Sequence, residues 1–380
     1  MSGAGPGDQI ATIGVGMLGY AFMGKAHANA YRTLSYMAWP PPLLPALVAI
    51  AGRDSGAVGE AARRYGFASA VTDWRDAIGD ERVGLFDNAG PNGLHREPTI
   101  AAAEAGRHVI CEKPLGLDAA ESYEIWRRVA ATGVKHMCAF NYRFVPAIRL
   151  AREMIADGQI GEVRHFRARY LQSWGVDSDL MTWRFDRARS GSGALGDLGA
   201  HIIDLGRYLV GEMAAVTGLT STFIGQRSGH AVDVDDAFQA TVEFENGASG
   251  TLEASRMAIG RLNHLALEVN GLRGSVAFDL ERLNELEFAA AESPQPGFQR
   301  ILVTAPEHPF MTWWWPPGHI IGWEHTFVHE LHHLLSAIAH DQPVTPHGAD
   351  FEDGYRAAVI CEAILRSAQS GVRQALEFAL

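Results

Sequence analysis

The sequence predicts a two-domain α/β protein, with a doubly wound parallel sheet first and an α+β domain with a large, mostly antiparallel open sheet after it. Strand and helix patterns alternate over residues 10–140, which is typical of a doubly wound parallel sheet. Beyond residue 146, successive strand patterns are joined by turns such as Glu245-Asn246-Gly247, which favours antiparallel pairing. The length of 380 residues also exceeds what one core usually reaches.

A strand, a glycine-rich turn and a helix open the parallel sheet. Residues 10–18 have the pattern of a buried strand and residues 25–34 that of a helix. A GxGxxG pattern beginning at Gly14 overlaps a GxAxxG pattern beginning at Gly19. The second is favoured, because it leaves a full strand before the turn and puts Gly24 at the helix-to-sheet contact. The amides expected to face a pyrophosphate belong to Gly19, Tyr20, Ala21, Phe22 and Met23.

The end of the second strand bears on cofactor choice. A proline-rich connection, residues 40–45, leads to a strand over residues 46–51 and then to Gly52, Arg53 and Asp54. Gly52 stands where NAD enzymes usually carry Asp or Glu, but the nearby acid Asp54 means that binding of NAD is still possible. Arg53 could pair with the 2′-phosphate of NADP or be a solvated surface cation. The sequence therefore predicts NAD or NADP without choosing between them.

The remaining elements of both halves follow from periodicity. In the first half, helices are predicted over residues 55–65, 74–78, 97–105 and 119–132, and strands near residue 70 and over residues 83–88, 108–111 and 135–140. In the second half, strands are predicted over residues 163–172, 215–223, 236–244, 248–255, 262–270 and 274–279, and helices over residues 147–157, 326–340 and 351–369.

The domain boundary is predicted between residues 142 and 143. Residues 1–142 would form the dinucleotide-binding domain, with a loose terminus over residues 1–9. Residues 143–380 would bind substrate and mediate oligomerisation, and the carboxy-terminal helix is expected to pack back on the first domain.

Residues 190–210 carry the candidate chemistry. Glycines precede an apolar-periodic run that holds Asp197, His201 and Asp204. On a helix, residues four apart share a face, so Asp197 and His201 can meet, and Asp204 lies one turn further along. A carboxylate beside an imidazole raises its basicity, as a general base requires. The alternative is a hydrogen-bonded core histidine with Asp197 as a helix cap.

Composition argues against several classes of function. The formal net charge is -12 and no basic patch stands out, which disfavours nucleic acid as a partner. No apolar run approaches the roughly 20 residues needed to span a bilayer, so a membrane role has no support. Cys111, Cys138 and Cys361 form no CxxC motif, and the amino end does not resemble a secretory signal. A cytoplasmic protein with reduced thiols is expected.

Four motifs together resemble the glucose-fructose oxidoreductase, inositol dehydrogenase and rhizopine catabolism (Gfo/Idh/MocA) family, over essentially the whole chain. They are Gly19-Tyr20-Ala21-Phe22-Met23-Gly24-Lys25-Ala26-His27, Pro91-Asn92 with His95, Glu112-Lys113-Pro114, and Gly196-Asp197 with His201 and Asp204. Within the family, the first motif, the proline-rich insertion and Trp183-Arg184-Phe185 look most like levoglucosan dehydrogenases.

The resemblance implies a Rossmann fold and NAD(P)-dependent hydride transfer at a hydroxyl of a sugar, anhydrosugar or cyclitol, with no metal. It implies that Lys113 positions nicotinamide ribose and substrate, that His201 takes the hydroxyl proton, and that Asp197 holds the substrate and orients His201. Lys113 also lies at the strand edge where open parallel sheets bind ligands, although it could be only a turn residue.

Further contacts follow from the same resemblance. Expected cofactor contacts, beyond the pyrophosphate turn, are Gly52, Arg53, Asp54, Ala89, Gly90, Pro91, Asn92, His95, Glu112, Lys113 and Asn141. Expected substrate contacts are Lys113, Tyr142, Arg143, Gln172, Trp183, Asp197 and His201. Tyr142, Arg143, Gln172 and Trp183 could equally be domain-interface residues. Gly90 departs from the family, which often has threonine before the proline.

Two other functions compete with this interpretation. His329-Glu330-Leu331-His332-His333 matches the zinc-hydrolase pattern HExxH, but leucines 331, 334 and 335 favour a packed amphipathic helix, and no third ligand follows at a zincin spacing. A non-catalytic NAD(P)-sensing regulator would need no Lys113, Asp197 and His201 set. The open sheet would also suit a homodimer or homotetramer.

Overall fold

The computed structural model describes residues 10–379, so the predicted loose terminus lies outside the described residues. The chain forms two compact units. Unit 1 holds the residues up to Glu112 with Arg127–Ala139 and Glu324–Asp350, and unit 2 holds Lys113–Trp126, Phe140–Trp323 and the residues from Phe351 onward. The boundary between residues 142 and 143 stays a prediction of domain organisation.

The elements are numbered in chain order. The helices are α1 (Phe22–Met37), α2 (Ser55–Tyr65), α3 (Trp74–Gly79), α4 (Arg96–Glu104), α5 (Ala119–Ala130), α6 (Pro146–Ala156), α7 (Arg187–Ser190), α8 (Ala200–Leu209), α9 (His325–Ala339) and α10 (Phe351–Ser370). The strands are β1 (Thr12–Leu18), β2 (Leu44–Ala51), β3 (Ser69–Val71), β4 (Val83–Asn88), β5 (His108–Glu112), β6 (His136–Ala139), β7 (Val163–Leu171), β8 (Met213–Ser221), β9 (Gln226–Arg227), β10 (His230–Ala231), β11 (Ala237–Phe244), β12 (Ser249–Ser255), β13 (His264–Gly271), β14 (Gly274–Asp279), β15 (Glu285–Ala290), β16 (Gln299–Leu302) and β17 (Gln374–Ala375).

Unit 1 is built on a six-stranded, wholly parallel sheet in the order β3-β2-β1-β4-β5-β6. This confirms the predicted doubly wound sheet. The strand order reverses at β1, and open sheets of this kind bind ligands at the carboxyl ends of the strands beside that reversal. Strand β2 begins earlier than predicted and includes Pro45, which pairs with Ile13. Proline is tolerated there because β3 pairs only with Ala49 to Ala51.

Helix α9 belongs to unit 1, where it packs against α1. Leu331, Leu334 and Leu335 have no exposed surface, as the amphipathic pattern of this helix predicts. The last helix, α10, belongs to unit 2 instead. Of the last two helices, α9 therefore belongs to unit 1 and α10 to unit 2.

Unit 2 contains a nine-stranded sheet in the order β16-β15-β14-β13-β7-β12-β11-β8-β17. All pairs are antiparallel except β7 with β12, which confirms a mostly antiparallel sheet. Exposed and buried residues alternate along β11 and β12, so one face is covered and the other is open. Helices α8 and α10 pack on the covered face. Between residues 10 and 379, no helix is long and apolar enough to cross a bilayer.

Candidate active site

The chain enters α8 through a π-helical turn, Leu195–Gly199. The buried carboxylate of Asp235 anchors this turn, because its two oxygens each accept a backbone N–H, from Gly193 and from Leu195, at 2.8 Å. Only glycine fits at position 193, since a Cβ there would lie 1.7 Å from the carbonyl oxygen of Asp235. The sequence predicts an ordinary helix here. Single π turns are rare and are frequent at functional sites.

Lys113, Asp197 and His201 all lie in unit 2. Asp197 is in the π turn and His201 is in the first turn of α8. The ammonium group of Lys113 donates to the carbonyl oxygen of Asp197 at 2.9 Å and lies 3.4 Å from its Oδ1. The structure thus brings a lysine cation and a carboxylate together, while the contacts of Lys113 with nicotinamide ribose and substrate stay predictions.

Three cations surround the carboxylate of Asp197. Besides Lys113, Arg256 donates from Nη2 to Oδ2 at 3.0 Å, and Nε of Arg184 lies 3.9 Å from the same oxygen. Burial alone would raise the pKa of Asp197, but Lys113, Arg256 and Arg184 together hold it well below its usual range. Asp197 is therefore an anion throughout the physiological pH range and acts as a hydrogen-bond acceptor.

His201 is buried against aromatic rings. Its ring centroid lies 4.7 Å from that of Tyr142, 5.8 Å from that of Tyr170 and 6.0 Å from that of Phe140. Burial, and then the Lys113 cation, lower the pKa of His201 well below its usual value, although Asp197 opposes the shift. The imidazole is neutral at neutral pH and can accept a proton.

Asp197 makes no hydrogen bond to His201 among the described residues, so the pairing predicted from helical spacing is wrong. Nδ1 of His201 is buried and has no hydrogen-bond partner there. The carboxylate of Asp197 is directed instead to Lys113 and Arg256. In the wider π turn, a four-residue spacing does not stack side chains as it does in an α-helix.

A chain of hydrogen bonds extends from the rings beside His201. The hydroxyls of Tyr142 and Tyr170 lie 2.8 Å apart, and that of Tyr170 donates to Asn263 Oδ1 at 2.7 Å. Gln172 donates to the same oxygen at 2.7 Å and accepts from Trp174 Nε1 at 2.7 Å. Tyr142 and Gln172 were predicted site residues, whereas Tyr170, Trp174 and Asn263 were not. The alternation of β7 could have indicated Tyr170, which lies on the same face as Gln172.

Arg143 is placed in a buried ion-pair network. Its guanidinium donates to both oxygens of Asp204, at 2.6 and 2.9 Å, and to Asp353 at 3.1 Å. Arg207 also contacts Asp353, at 2.9 Å. Arg143 and Asp204 therefore tie the chain after β6 to α8 and α10. A substrate contact of Arg143 stays a prediction.

The other predicted contacts in unit 2 lie on short helical turns. Trp183 is half-buried on the 3₁₀ turn Trp183–Phe185, where the guanidinium carbon of Arg184 lies 4.5 Å from its ring centroid. Asn141 is buried at the start of the 3₁₀ turn Asn141–Phe144.

In unit 1, the turn after β1 has the geometry of the later glycine pattern. Gly19 has φ 102°, and a Cβ there would lie 2.5 Å from the carbonyl oxygen of Ala89. A Cβ on Gly24 would lie 2.1 Å from the carbonyl oxygen of Gly19, which confirms the close helix-to-sheet contact. Helix α1 begins at Phe22 with no acidic residue in its first turn and no side chain capping it among the described residues. This end fits a phosphate group.

The end of β2 leaves little room for an acid at position 52. A Cβ on Gly52 would lie 2.2 Å from Cε1 of Tyr20, so the tyrosine ring occupies that space. Asp54 caps α2, accepting the backbone N–H of Ala57 at 2.8 Å, and Arg53 is exposed. The residues next to the glycine turn therefore suit a dinucleotide, but they do not decide whether its ribose carries a 2′-phosphate.

The segment after β4 is held by its own hydrogen bonds. Asn88 donates to Leu94 O at 2.9 Å and accepts the backbone N–H of Gly90 at 3.2 Å, while His95 Nε2 lies 3.1 Å from Gly90 O. A Cβ on Gly90 would lie 3.1 Å from the Asn88 oxygen, so glycine fits this tight turn better than threonine. The predicted cofactor contacts Ala89, Gly90, Pro91, Asn92 and His95 therefore form one ordered loop.

A buried charge cluster in unit 1 was not predicted from sequence. His27 Nδ1 lies 2.9 Å from Asp87 and its Nε2 lies 3.1 Å from Glu112, and Tyr31 donates to Asp87 at 3.0 Å. Burial would lower the pKa of His27, but Asp87 and Glu112 together raise it well above its usual value. The imidazolium thus links α1 to the carboxyl ends of β4 and β5.

The HExxH motif lies in a packed helix of unit 1. His329 and Glu330 are wholly buried in α9, and Nε2 of His333 lies 2.7 Å from Val344 O. No histidine of α9 belongs to a potential metal-binding group among the described residues. The motif is part of the helix that packs on α1.

One potential metal-binding group lies in unit 2 and does not involve α9. His264, Asp279 and Glu281 offer atoms within 4.8 Å of one another. Nε of Arg169 donates to Nε2 of His264 at 3.2 Å, which places the imidazole proton on Nδ1. Nδ1 of His264 faces the two carboxylates, at 3.4 Å from each.

A dinucleotide-binding sheet in one unit, and a neutral buried imidazole in a unit with a lysine-carboxylate pair, define a nicotinamide-dependent oxidoreductase. Residues 13–140 match the oxidoreductase family with an NAD-binding Rossmann fold, and residues 148–277 match the GFO/IDH/MocA C-terminal domain. The chain belongs to the Gfo/Idh/MocA family of oxidoreductases.

Similar proteins include several sugar dehydrogenases. Levoglucosan dehydrogenase of Pseudarthrobacter phenanthrenivorans is 43% identical, over 94% of this chain and 96% of its own length. Inositol 2-dehydrogenase of Rhizobium meliloti is 27% identical, over 94% of this chain and 97% of its own. A solved levoglucosan dehydrogenase in complex with NADH and levoglucosan has a TM-score of 0.93 at 42% identity, covering 96% of this chain and 99% of that one. An oxidoreductase domain protein from Kribbella flavida has a TM-score of 0.94 at 43% identity, covering 97% and 100%.

The charges around His201 predict how its titration responds to substitution. Lys113→Met removes a cation that lowers the pKa of His201, so this pKa should rise. Asp197→Asn removes an anion that raises it, so the pKa should fall further. NMR of histidine-labelled protein measures both. As a control, Lys135→Met should raise the pKa of His136, which burial and, to a lesser extent, that lysine hold at about 4, and should leave His201 unchanged. A fall for Lys113→Met would contradict the assignment.

Proposed function

We propose that this chain oxidises a CH–OH group of a sugar, anhydrosugar or cyclitol with NAD, and that a levoglucosan-like anhydrosugar is its preferred substrate. The observation that carries the proposal is the neutral, buried imidazole of His201 in the same unit as the ion pair of Lys113 and Asp197. Oxidising an alcohol requires a proton acceptor and a cation for the developing alkoxide. The levoglucosan dehydrogenase complexes support the choice of substrate.

Each residue has a separate part in this reaction. NAD, when bound, accepts the hydride from the carbinol carbon. His201 takes the hydroxyl proton, since its low pKa keeps it unprotonated before the reaction. Lys113 stabilises negative charge on the same oxygen. Asp197, which stays ionised, accepts a hydrogen bond from a neighbouring substrate hydroxyl and so orients the substrate ring.

The aromatic and amide groups beside His201 suit a polyol. Tyr142, Gln172 and Trp183 offer hydroxyl, amide and ring surfaces, which bind sugar hydroxyls and the apolar faces of sugar rings. Burial of His201 also keeps bulk water from the proton acceptor.

NAD is the proposed cofactor, held by the glycine turn and the loop after β4 in unit 1. Gly19, Tyr20, Ala21, Phe22 and Met23 would hold the pyrophosphate, and Gly52, Arg53 and Asp54 the adenosine ribose. The NADH complexes of the related dehydrogenases support NAD. Arg53 leaves use of NADP as the alternative.

Cofactor reduction tests the proposal directly. Formation of NADH or NADPH is followed by near-ultraviolet absorbance with levoglucosan, inositols, glucose and xylose, using each cofactor in turn. We expect NAD reduction with levoglucosan to exceed the rest. Silence on every sugar, with cofactor binding intact by fluorescence, would favour the non-catalytic sensor.

Removing the proton acceptor or the cation should abolish turnover without loss of cofactor. His201→Ala and Lys113→Ala should each lower kcat by about 100-fold to 10,000-fold, because they remove a general base and an electrostatic stabiliser. The Kd for NADH should stay within about threefold of wild type. Near wild-type turnover in either variant would refute the role given to that residue.

The open face of the nine-stranded sheet is proposed to bind a second copy of the chain. This face has a shallow concavity of about 800 Å³ and carries charges of both signs, including Arg167, Arg169, Glu253 and Glu268. Mixed charges on a concave sheet suit a self-complementary contact. Cys111, Cys138 and Cys361 are buried and form no disulfide among the described residues, which is in keeping with the predicted cytoplasmic location.

Light scattering tests the assembly. The wild-type chain should have the mass of a dimer or tetramer at micromolar concentration. Leu219→Glu puts a charge on an exposed leucine of the open face, so it should shift the mass toward monomer. A monomeric wild-type chain would rule out the assembly.

A further inference from the structure

Arg256 immediately follows β12 and has no exposed surface. Its Nη2 donates to Oδ2 of Asp197 at 3.0 Å and its Nη1 donates to the carbonyl oxygen of Arg184 at 3.2 Å. Its guanidinium carbon lies 4.9 Å from the ring centroid of Trp174 and 5.8 Å from that of Phe185. A buried cation is tolerated only where it is paired, and Asp197 is the carboxylate that pairs with this one at hydrogen-bond distance among the described residues.

The backbone holds Arg256 in one place. Its N–H donates to the carbonyl oxygen of Asp236 at 2.9 Å, and its carbonyl oxygen accepts the N–H of Gly175 at 3.0 Å. A Cβ on Gly175 would lie 2.9 Å from the Cβ of Arg256, so the two segments meet as closely as glycine permits. The guanidinium therefore reaches Asp197 from a fixed position.

We propose that Arg256 is the positioning residue of the active site, which fixes the carboxylate of Asp197 for the substrate hydroxyl and for Lys113. This inference rests on the proposed function, in which Asp197 binds substrate. Arg256 touches Asp197 and no other part of the catalytic set, so it acts through that carboxylate.

The other groups facing Asp197 are less suited to hold it. They are Lys113 and Arg184, the imidazole of His201, and the hydroxyls of Tyr142 and Tyr170. Lys113 lies 3.4 Å from Oδ1, which is long for a hydrogen bond, and its shorter hydrogen bond is to the backbone carbonyl oxygen of Asp197. The Arg184 side chain is 40% exposed and 3.9 Å away. The wholly buried guanidinium of Arg256, at 3.0 Å, interacts with Asp197 more strongly than Arg184 does, because water does not screen it.

Arg227 provides a matched control. It is equally buried and its guanidinium carbon lies 4.0 Å from the ring centroid of Phe185, on which Arg256 also stacks. Its partners are different, namely the carbonyl oxygens of Gly175 and Asp177 and the carboxylate of Asp236. Arg227 does not contact Asp197, but Gly175 and Asp236 also hydrogen-bond the backbone of Arg256, so its loss tests whether disturbed packing of these segments alone explains a loss of activity.

The experiment compares Arg256→Gln, Arg256→Lys, Arg227→Gln and Arg227→Lys in the full chain, with NAD and the best sugar of the panel. Arg256→Gln should lower kcat/KM by at least about 100-fold, because a buried hydrogen-bonded charge pair is broken. Arg256→Lys should recover part of that loss. The Arg227 variants should lower Tm as much but keep kcat/KM within about threefold, and the Kd for NADH should change little in all four.

Two further readouts separate positioning from packing. In the Asp197→Asn background, Arg256→Gln should cause no further loss of kcat/KM, because the two residues act as one unit. The second readout is the titration of Asp197 itself, whose pKa should move upward in Arg256→Gln because the carboxylate loses a cation that lowers it. Arg227→Gln should leave the pKa of Asp197 in place.

Carboxyl NMR makes the test independent of turnover. The pKa of Asp197 should rise in Arg256→Gln and stay unchanged in Arg227→Gln. Equal losses of kcat/KM in the Arg256 and Arg227 variants, or an unchanged Asp197 titration, would overturn the positioning role. An inactive wild-type chain would instead refute the proposed function, and the NMR result would still decide whether Arg256 controls Asp197.

Discussion

The ion cluster around Asp197 is the constraint on which the active site depends. A carboxylate in a π turn with Lys113, Arg184 and Arg256 around it cannot protonate under physiological conditions. Because these cations come from three separate segments of unit 2, the cluster also fixes where those segments meet. Replacing any one of them changes both the charge of the site and its geometry.

Burial and charge separate the roles of the carboxylate and the imidazole. Lys113, Arg256 and Arg184 keep Asp197 charged, whereas burial, and then the Lys113 cation, keep His201 neutral. Contact with Asp197 would have raised the proton affinity of His201 and favoured the imidazolium before the reaction. By leaving Nδ1 of His201 without a hydrogen bond to Asp197, the structure keeps an unprotonated acceptor among aromatic rings.

Local steric and periodic signals made much of the fold predictable. The register of the first glycine turn follows from close approaches that only glycine permits at positions 19 and 24. What sequence could not supply depends on long-range pairing. Arg256 lies 59 residues from Asp197, and no spacing rule connects them. Arg143 resembles a substrate contact in sequence, but the buried carboxylate of Asp204 binds it. The parallel pairing of β7 with β12 and the short strands β15, β16 and β17 were likewise missed, because partner choice within a sheet is not encoded in alternation.

Each unit also has buried, paired charges where its proposed function requires fixed geometry. In unit 1, His27 links Asp87 and Glu112 at the carboxyl ends of two adjacent strands, the edge at which such sheets bind ligands. In unit 2, Arg143 pairs with Asp204 of α8 and with Asp353 of α10, and so joins the helix that carries His201 to α10. Apolar side chains of the same volume would often stabilise a fold equally well, so these ion pairs are weak evidence for stability. Removing one partner would leave the other charge buried and unpaired, which is strongly destabilising, so the clusters constrain how the elements that carry them meet.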